Sequence, residues 1–305
     1  MDEQSIRLFS SSTWGQQLSL LVQAMRPYQW VKNLVLFAGL LFSQRLFHLT
    51  DLLLSFSAFV LFCLLSSAVY ICNDFFDVQA DREHPSKRFR PLASGKLHPR
   101  FALIGLLLLL LVSLPSAFLL RTGFGLVALG YVLLNLLYSR WLKQMVIVDV
   151  MAIATGFVLR AMAGAVVIEV EISLWLILCT FLLALFLACN KRRQELVHLR
   201  QEARNHRQIL EEYSPYFLDL MINVVTASTV IAYALYTMDQ ETIQKFQTDR
   251  LIITTPFVMY GIFRYLYLVH KRGEGENPTR LLLTDRPLQI NLLLWILAVG
   301  IIIYA

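Results

Sequence analysis

Six stretches of this chain contain no Asp, Glu, Lys or Arg: residues 52–72, 103–120, 122–139, 172–190, 220–238 and 287–305. Each is 18 to 21 residues long, and about 20 apolar residues in an α-helix cross the hydrocarbon layer of a bilayer. The chain is therefore read as an all-α, polytopic membrane protein. Its composition of 57% apolar and 16% charged residues agrees, since soluble domains run at roughly 45–50% and about 25%. These values exclude a disordered or collagen-like chain and a soluble two-domain enzyme.

Three weaker stretches join the six. Residues 34–49 carry Arg45, 146–168 carry Asp149 and Arg160, and 251–270 carry Arg264. Nine crossings result. With the N-terminus cytoplasmic, 22 of the 27 Lys and Arg residues fall on the cytoplasmic side, four on the other, and Arg160 within a span. That asymmetry is what the positive-inside rule expects. It also accounts for the net charge of +6 through a membrane, not through nucleic acid. Residues 1–25 read as an N-terminal arm, an interfacial helix being one form open to it. Residues 26–305 read as one nine-helix domain with cytoplasmic loops at 73–100, 139–145, 191–216 and 271–286. The 191–216 loop is expected to hold a helix of its own. No cleavable signal peptide is expected, and Cys63, Cys72, Cys179 and Cys189 read as small buried residues, not as metal or disulfide sites.

The richest stretch runs from Ser66 to Asp81. At 3.6 residues per turn, setting Asp74 at zero places Asp81, Tyr70, Asp77, Ser66 and Asn73 at about −20°, −40°, −60°, −80° and −100°. These six polar groups thus lie in one sector, while Phe75, Phe76 and Val78 point elsewhere. The helix is expected to run to about His84, because Pro85 disfavours helical geometry before it. Carboxylates crowded on one face repel unless a cation joins them, and hard oxygen ligands suit Mg²⁺ shared with substrate phosphates. The basic run Arg82, Lys87, Arg88, Arg90 and Lys96 follows at once, and such groups suit phosphate oxygens. A solvated helix end with alternating charges is the alternative, but it gives no reason for a polar sector that begins inside an apolar span.

Asn73 to Asp81 reads NDxxDxxxD and resembles the first aspartate-rich motif of the UbiA superfamily of intramembrane prenyltransferases. Further stretches resemble the decaprenyl-phosphate phosphoribosyltransferase branch of it: Arg26-Pro27-Tyr28-Gln29-Trp30-Val31-Lys32-Asn33, Asp81 to Pro91, Gly95-Lys96, Tyr138-Ser139 with Leu142-Lys143 and Asp149, Gly156 to Ala161, and Lys191-Arg192 with Glu195-Leu196. The resemblance implies a UbiA-like bundle in a bacterial-type inner (plasma) membrane with its active site facing the cytoplasm. It also implies Mg²⁺ held by Asn73, Asp74, Asp77 and Asp81. The implied substrates are 5-phosphoribosyl 1-diphosphate (PRPP) and a polyprenyl phosphate. One departure bears on the substrate. Aromatic prenyltransferases of the superfamily carry a second aspartate-rich motif after the sixth span, whereas this chain reads Asn190-Lys191-Arg192-Arg193-Gln194-Glu195 there. That favours a donor with a separate phosphate, as PRPP has, and leaves aromatic prenyl transfer as the alternative.

The chemistry expected is departure of diphosphate from ribose C1, with the metal stabilising the leaving group through an oxocarbenium-like centre. A lipid monophosphate, with a second pKa of about 6, attacks without a general base. Tyr70, Lys87, Arg88, Arg90, Tyr138, Lys143, Asp149 and Glu195 complete the expected substrate site. Lys32 and Asn33 read either as phosphate ligands or as an interfacial anchor beside Trp30. Lys191 and Arg192 read either as phosphate ligands or as ordinary cytoplasmic charge. Arg160, about 16 Å along a helix from Asp149, reads as lining a polar cavity or bonding a neighbouring helix, and an intramembrane cation is functional by default. Tyr131 reads as packing, and Asp285 as a substrate contact or a helix cap. A transporter is the alternative from outside the enzymes, favoured by Arg160 alone, because transporters place their charges at the bilayer midplane.

Overall fold

The structure, a computed structural model, describes residues 13–201, 212–275 and 277–304. Helix α1 (Trp14–Met25) opens with a capping box in which Thr13 and Gln16 exchange side-chain and backbone bonds. It stops at Arg26, whose φ of +55° is left-handed. Pro27 then starts a 3-10 run, Pro27–Leu36, continuous with the short α2 (Phe37–Phe42). Next come α3 (Leu49–Phe76), α4 (Val78–Glu83), α5 (Pro99–Leu120), α6 (Thr122–Arg140), α7 (Val148–Val167) and α8 (Leu174–Gln201). After these stand α9 (Pro215–Met238), α10 (Gln240–Phe246), α11 (Thr255–Arg272), α12 (Pro278–Thr284) and α13 (Arg286–Tyr304). Among the described residues there is no strand. Proline at the first turn of α5, α9 and α12, behind His98, Ser214 and Asn277 caps, starts each where an N–H would have no partner.

Eight helices are long and apolar enough to cross a bilayer: α3, α5, α6, α7, α8, α9, the run Arg250–Arg272 that ends in α11, and α13. The stretch expected as a first crossing, 34–49, differs. Its helix starts earlier, at Pro27, breaks after Phe42, and Leu49 already belongs to α3. Packing explains the shape. Ten residues of narrow 3-10 coil and six of α-helix extend roughly 30 Å, and they run in the same direction as α7 against its second half. Asn33 meets Arg160, Gly39 lies against Ala165, and Arg45 reaches the Ile168 carbonyl at 3.4 Å. A Cβ on Gly164 would stand 1.9 Å from the Leu36 carbonyl oxygen, so the two backbones touch. Small residues allow such approach between helices in lipid.

Helix α7 is the hub, buried along Ala152, Ala154, Gly156, Ala161, Ala163 and Gly164 and packed against the 27–42 segment, α3, α6 and α8. At the far end the bundle closes on itself. Gln44 donates to the Ile303 carbonyl at 2.8 Å, and Tyr304 accepts from the Leu46 N–H at 3.0 Å. The helix expected within 191–216 is, as far as Gln201, the continuation of α8; residues 202–211 lie outside the described residues. The four cysteines form no disulfide, and Cys63 and Cys189 are buried.

Candidate functional site

The acidic sector sits where α3 leaves the apolar layer. The helix expected to run unbroken to His84 is interrupted at Asp77, which caps α3 before α4 resumes and ends at Glu83. The bonds from Asp77 N to Asn73 O (2.9 Å) and from Asp81 N to Asp77 O (2.7 Å) keep the helical spacing across the break. The angular order read from the sequence is therefore the order of contacts. Asp74 and Asp81, about 20° apart, share Arg90, which lies 3.2 Å from Asp74 Oδ1 and 2.5 Å from Asp81 Oδ2. Asp77, further round, takes the Lys143 ammonium on Oδ1 and the Asn73 amide on Oδ2 at 2.9 Å. Asn73 in turn accepts from Ser139 at 3.1 Å. Arg26 completes the set by pairing with Asp74 and lying over the Tyr70 ring, 5.1 Å from its centroid.

Among the described residues, no group of three His, Cys, Asp or Glu side chains converges as a metal cage. Asp74, Asp77 and Asp81 face cations in place of one another, because three carboxylates meet three basic groups brought in by separate segments. Arg26 comes from the end of α1, Arg90 from the 84–97 loop and Lys143 from the α6–α7 connection. The donor set nonetheless fits a divalent ion, since buried Asp74 retains an Oδ2 with no hydrogen-bond partner and such orphaned atoms are rare. Asn73, Asp74, Asp77 and Asp81 are the residues that would hold it.

Deeper in the bundle lies a site of opposite sign. Arg160, only 6% exposed, donates to Asn33 Oδ1 at 2.8 Å, the Gly156 carbonyl at 3.1 Å and the Tyr131 hydroxyl at 2.7 Å. Its guanidinium also lies over the Tyr131 and Phe157 rings. Asn33 is fixed from behind by Ser66 Oγ at 3.2 Å. Neither Arg160 nor half-buried Lys32 has a carboxylate within ion-pair distance among the described residues, and Arg160 and Arg26 bring like charge to bear on Lys32. A buried cation with only neutral partners is costly, and this arrangement carries no compensating negative charge among the described residues.

Other expected site residues go elsewhere. Arg192, 4% exposed, faces Asp149 at 2.7 Å and Glu195 at 2.5 Å, and Lys191 lies 3.7 Å from Glu195. Asp149 also accepts from Tyr213 at 2.8 Å. The group Asp149, Arg192 and Glu195 is thus a buried tie between α7 and α8. Tyr138 is half-buried within electrostatic reach of Arg192. Arg88 is exposed and stacks on Phe89, while the half-buried Lys87 gives its N–H to His84. Asp285 caps α13 through Leu288 N at 2.9 Å and accepts both prongs of Arg264; those bonds hold its carboxyl below the ordinary value. Sequence reading assigns no site role to Arg26 or Ser139, although both lie in stretches that carry the family resemblance, and leaves Tyr131 as packing. The stack of Tyr131, Asn135 and Tyr138 at helical spacing was the available signal for the last.

Fold and geometry define a polytopic α-helical membrane protein with a salt-bridged carboxylate cluster at one end of the bundle and a buried Arg160 with neutral partners deeper in it. The chain belongs to the UbiA prenyltransferase family, whose family model matches residues 33–293, and is a transferase. It is 34% identical over 292 residues to a decaprenyl-phosphate phosphoribosyltransferase of Corynebacterium glutamicum, covering 93% of this chain and 86% of that one. To the enzyme of the same name from Mycolicibacterium smegmatis it is 33% identical over 298 residues, covering 94% and 93%. A solved UbiA homolog from Archaeoglobus fulgidus, bound to GPP and Mg²⁺, superimposes with a TM-score of 0.69 at 21% identity, covering 93% of this chain and 99% of that one.

Proposed function

We propose that this protein transfers 5-phosphoribose from PRPP to a polyprenyl phosphate, releasing diphosphate and leaving a polyprenyl-phosphoryl-5-phosphoribose. The relatives' names support the reaction, and one structural observation favours it over prenyl transfer. At the position of the second aspartate-rich motif, Glu195 is the one carboxylate, and Arg192 and Lys191 both engage it. A diphosphate cannot be gripped there by a second acidic ligand set.

In this reading Asn73, Asp74, Asp77 and Asp81 hold a divalent ion, Mg²⁺ by its preference for hard oxygen and phosphate. Bound there, the ion supplies positive charge against the departing diphosphate. Arg26, Arg90 and Lys143 exchange their carboxylate partners for diphosphate oxygens. The C1–O bond to diphosphate breaks and a C1–O bond to the lipid phosphate forms; that nucleophile is already largely dianionic, so no side chain removes a proton. Lys32 and Arg160 offer charge to a further phosphate. The 27–42 segment counts as the ninth crossing, the N-terminus and the site face the cytoplasm, and the membrane is a bacterial-type plasma membrane.

The test incubates purified protein with Mg²⁺, PRPP and polyprenyl phosphate and seeks a new phosphosugar lipid by mass spectrometry. Product that appears only with a prenyl diphosphate and an aromatic acceptor would replace this reading with the prenyl one.

A further inference from the structure

Tyr213 stands just ahead of the Ser214 cap of α9 and is 2% exposed. Its hydroxyl makes two bonds across the bundle. It accepts from the backbone N–H of Ile147 at 2.7 Å and donates to Asp149 Oδ1 at 2.8 Å. Burial pushes the phenol above its ordinary range, so it remains a neutral donor at working pH.

Ile147 is the anomaly that gives this contact meaning. Its φ of +68° and ψ of −45° lie where a β-branched residue is a genuine outlier, and such backbone persists only when its surroundings over-determine it. Here a chain of contacts fixes it. The Ile147 N–H is held by Tyr213, and Tyr213 is held by Asp149. Asp149 faces Arg192 at 2.7 Å, and Arg192 donates to Glu195 at 2.5 Å. Four residues before Ile147, on the 3-10 turn Leu142–Gln144, is Lys143, the buried partner of Asp77. Released into an ordinary helical or extended conformation, Ile147 would turn the chain by more than about 100°, four residues from that lysine.

We propose that Tyr213 is a positioning residue: by holding Ile147 in its left-handed conformation it fixes the α6–α7 connection where Lys143 reaches Asp77, and so sets the site's affinity for the donor diphosphate. This rests on the diphosphate reading given above.

Tyr213→Phe removes both bonds yet keeps the ring stacked on Phe217 and packed with Leu196 and Leu218. Two measurements on the full chain in detergent with Mg²⁺ test the idea: calorimetric affinity for inorganic pyrophosphate, and amide hydrogen exchange over residues 142–149. Exchange at Ile147 should quicken and pyrophosphate affinity should fall about tenfold. The donor KM should rise in step, with kcat within about twofold and the acceptor KM unchanged. In a Lys143→Met background, Tyr213→Phe should cost no further pyrophosphate affinity. Unchanged exchange at Ile147, unchanged affinity, or losses that add to those of Lys143→Met while both KM values and kcat move together would each overturn the proposal. A wild-type chain that takes up no pyrophosphate would overturn the functional reading itself, and the exchange result would then decide the clamp.

Discussion

The contact between Gly164 and Leu36 joins the bundle's geometry to its chemistry, and Gly164→Ala breaks it by one methyl group. The added Cβ would begin 1.9 Å from a carbonyl oxygen, where less than 3.0 Å is essentially never found. Both partners are main chain, so the 27–42 segment must retreat from α7 by more than about 1 Å, since no rotamer change relieves a backbone clash. Three residues earlier along that segment, Asn33 holds Arg160 at 2.8 Å. The same retreat stretches that bond beyond the reach of a hydrogen bond. Overpacking costs about 1–3 kcal/mol, and losing a bond to a charged donor costs about 1.5–3 kcal/mol. The combined loss of about 3–5 kcal/mol corresponds to a fall in Tm of roughly 10 °C. Thermal unfolding of detergent-solubilised protein, read by size-exclusion recovery, measures it, with product formation assayed alongside. Gly130→Ala is the control, because a Cβ there meets nothing within 4 Å and alanine favours the helix. Gly164→Ala with wild-type melting and turnover would refute the close approach of these backbones and its link to Arg160.

Asp77→Asn should abolish transfer while the chain still elutes as a folded species, and exhaustive chelation should do the same to wild type; lipid product by mass spectrometry reads both. Arg160→Lys keeps the charge but not the fork that reaches Asn33, Gly156 and Tyr131 at once, so kcat/KM should drop at least about tenfold and Tm should fall by several degrees as those buried bonds are lost. Full activity of the lysine variant would show that only charge matters there. Asp285 carries a carboxyl held below its ordinary value by Arg264. Its contribution to stability is complete above the unfolded-state pKa and disappears as pH falls through the lower folded one. Asp285→Asn should therefore lose Tm at neutral pH and show a shallower fall in acid than wild type.

The carboxylate sector could be read from the sequence because it depends on local periodicity. Residues Asp74 and Asp81 fall together on a helical wheel, and the fold hands both to Arg90. What completes that sector is remote. Arg26 lies 48 residues from Asp74 and Lys143 lies 66 from Asp77, and although Lys143 is expected in the substrate site, nothing in the sequence pairs either cation with its carboxylate. Arg192 keeps two readings for the same reason, since nothing local reveals the Asp149 counter-charge on another helix. The first crossing was misplaced by a different mechanism. Apolar character runs almost continuously from Leu34 into α3, and the break after Phe42 is imposed by packing against α7 and by turn residues such as Gln44 at φ +60°. Asp149 and Arg160, eleven apart on one helix, could not be assigned to separate networks without knowing which helices pass beside each end of α7.

The mutual neutralisation of Asp74, Asp77 and Asp81 by Arg26, Arg90 and Lys143 also governs how the resting cleft treats stray ions. A lone divalent cation approaching the acids would have to evict three positive groups, and a lone polyphosphate approaching the bases would have to evict three negative ones. Either intruder would strand like charges together in a poorly hydrated place. A cation and a polyphosphate arriving as a pair exchange partners with both sets at once and leave the balance intact. On the proposed reading, this charge balance would make the site a coincidence detector, favouring a cation and a polyphosphate that arrive together over either alone.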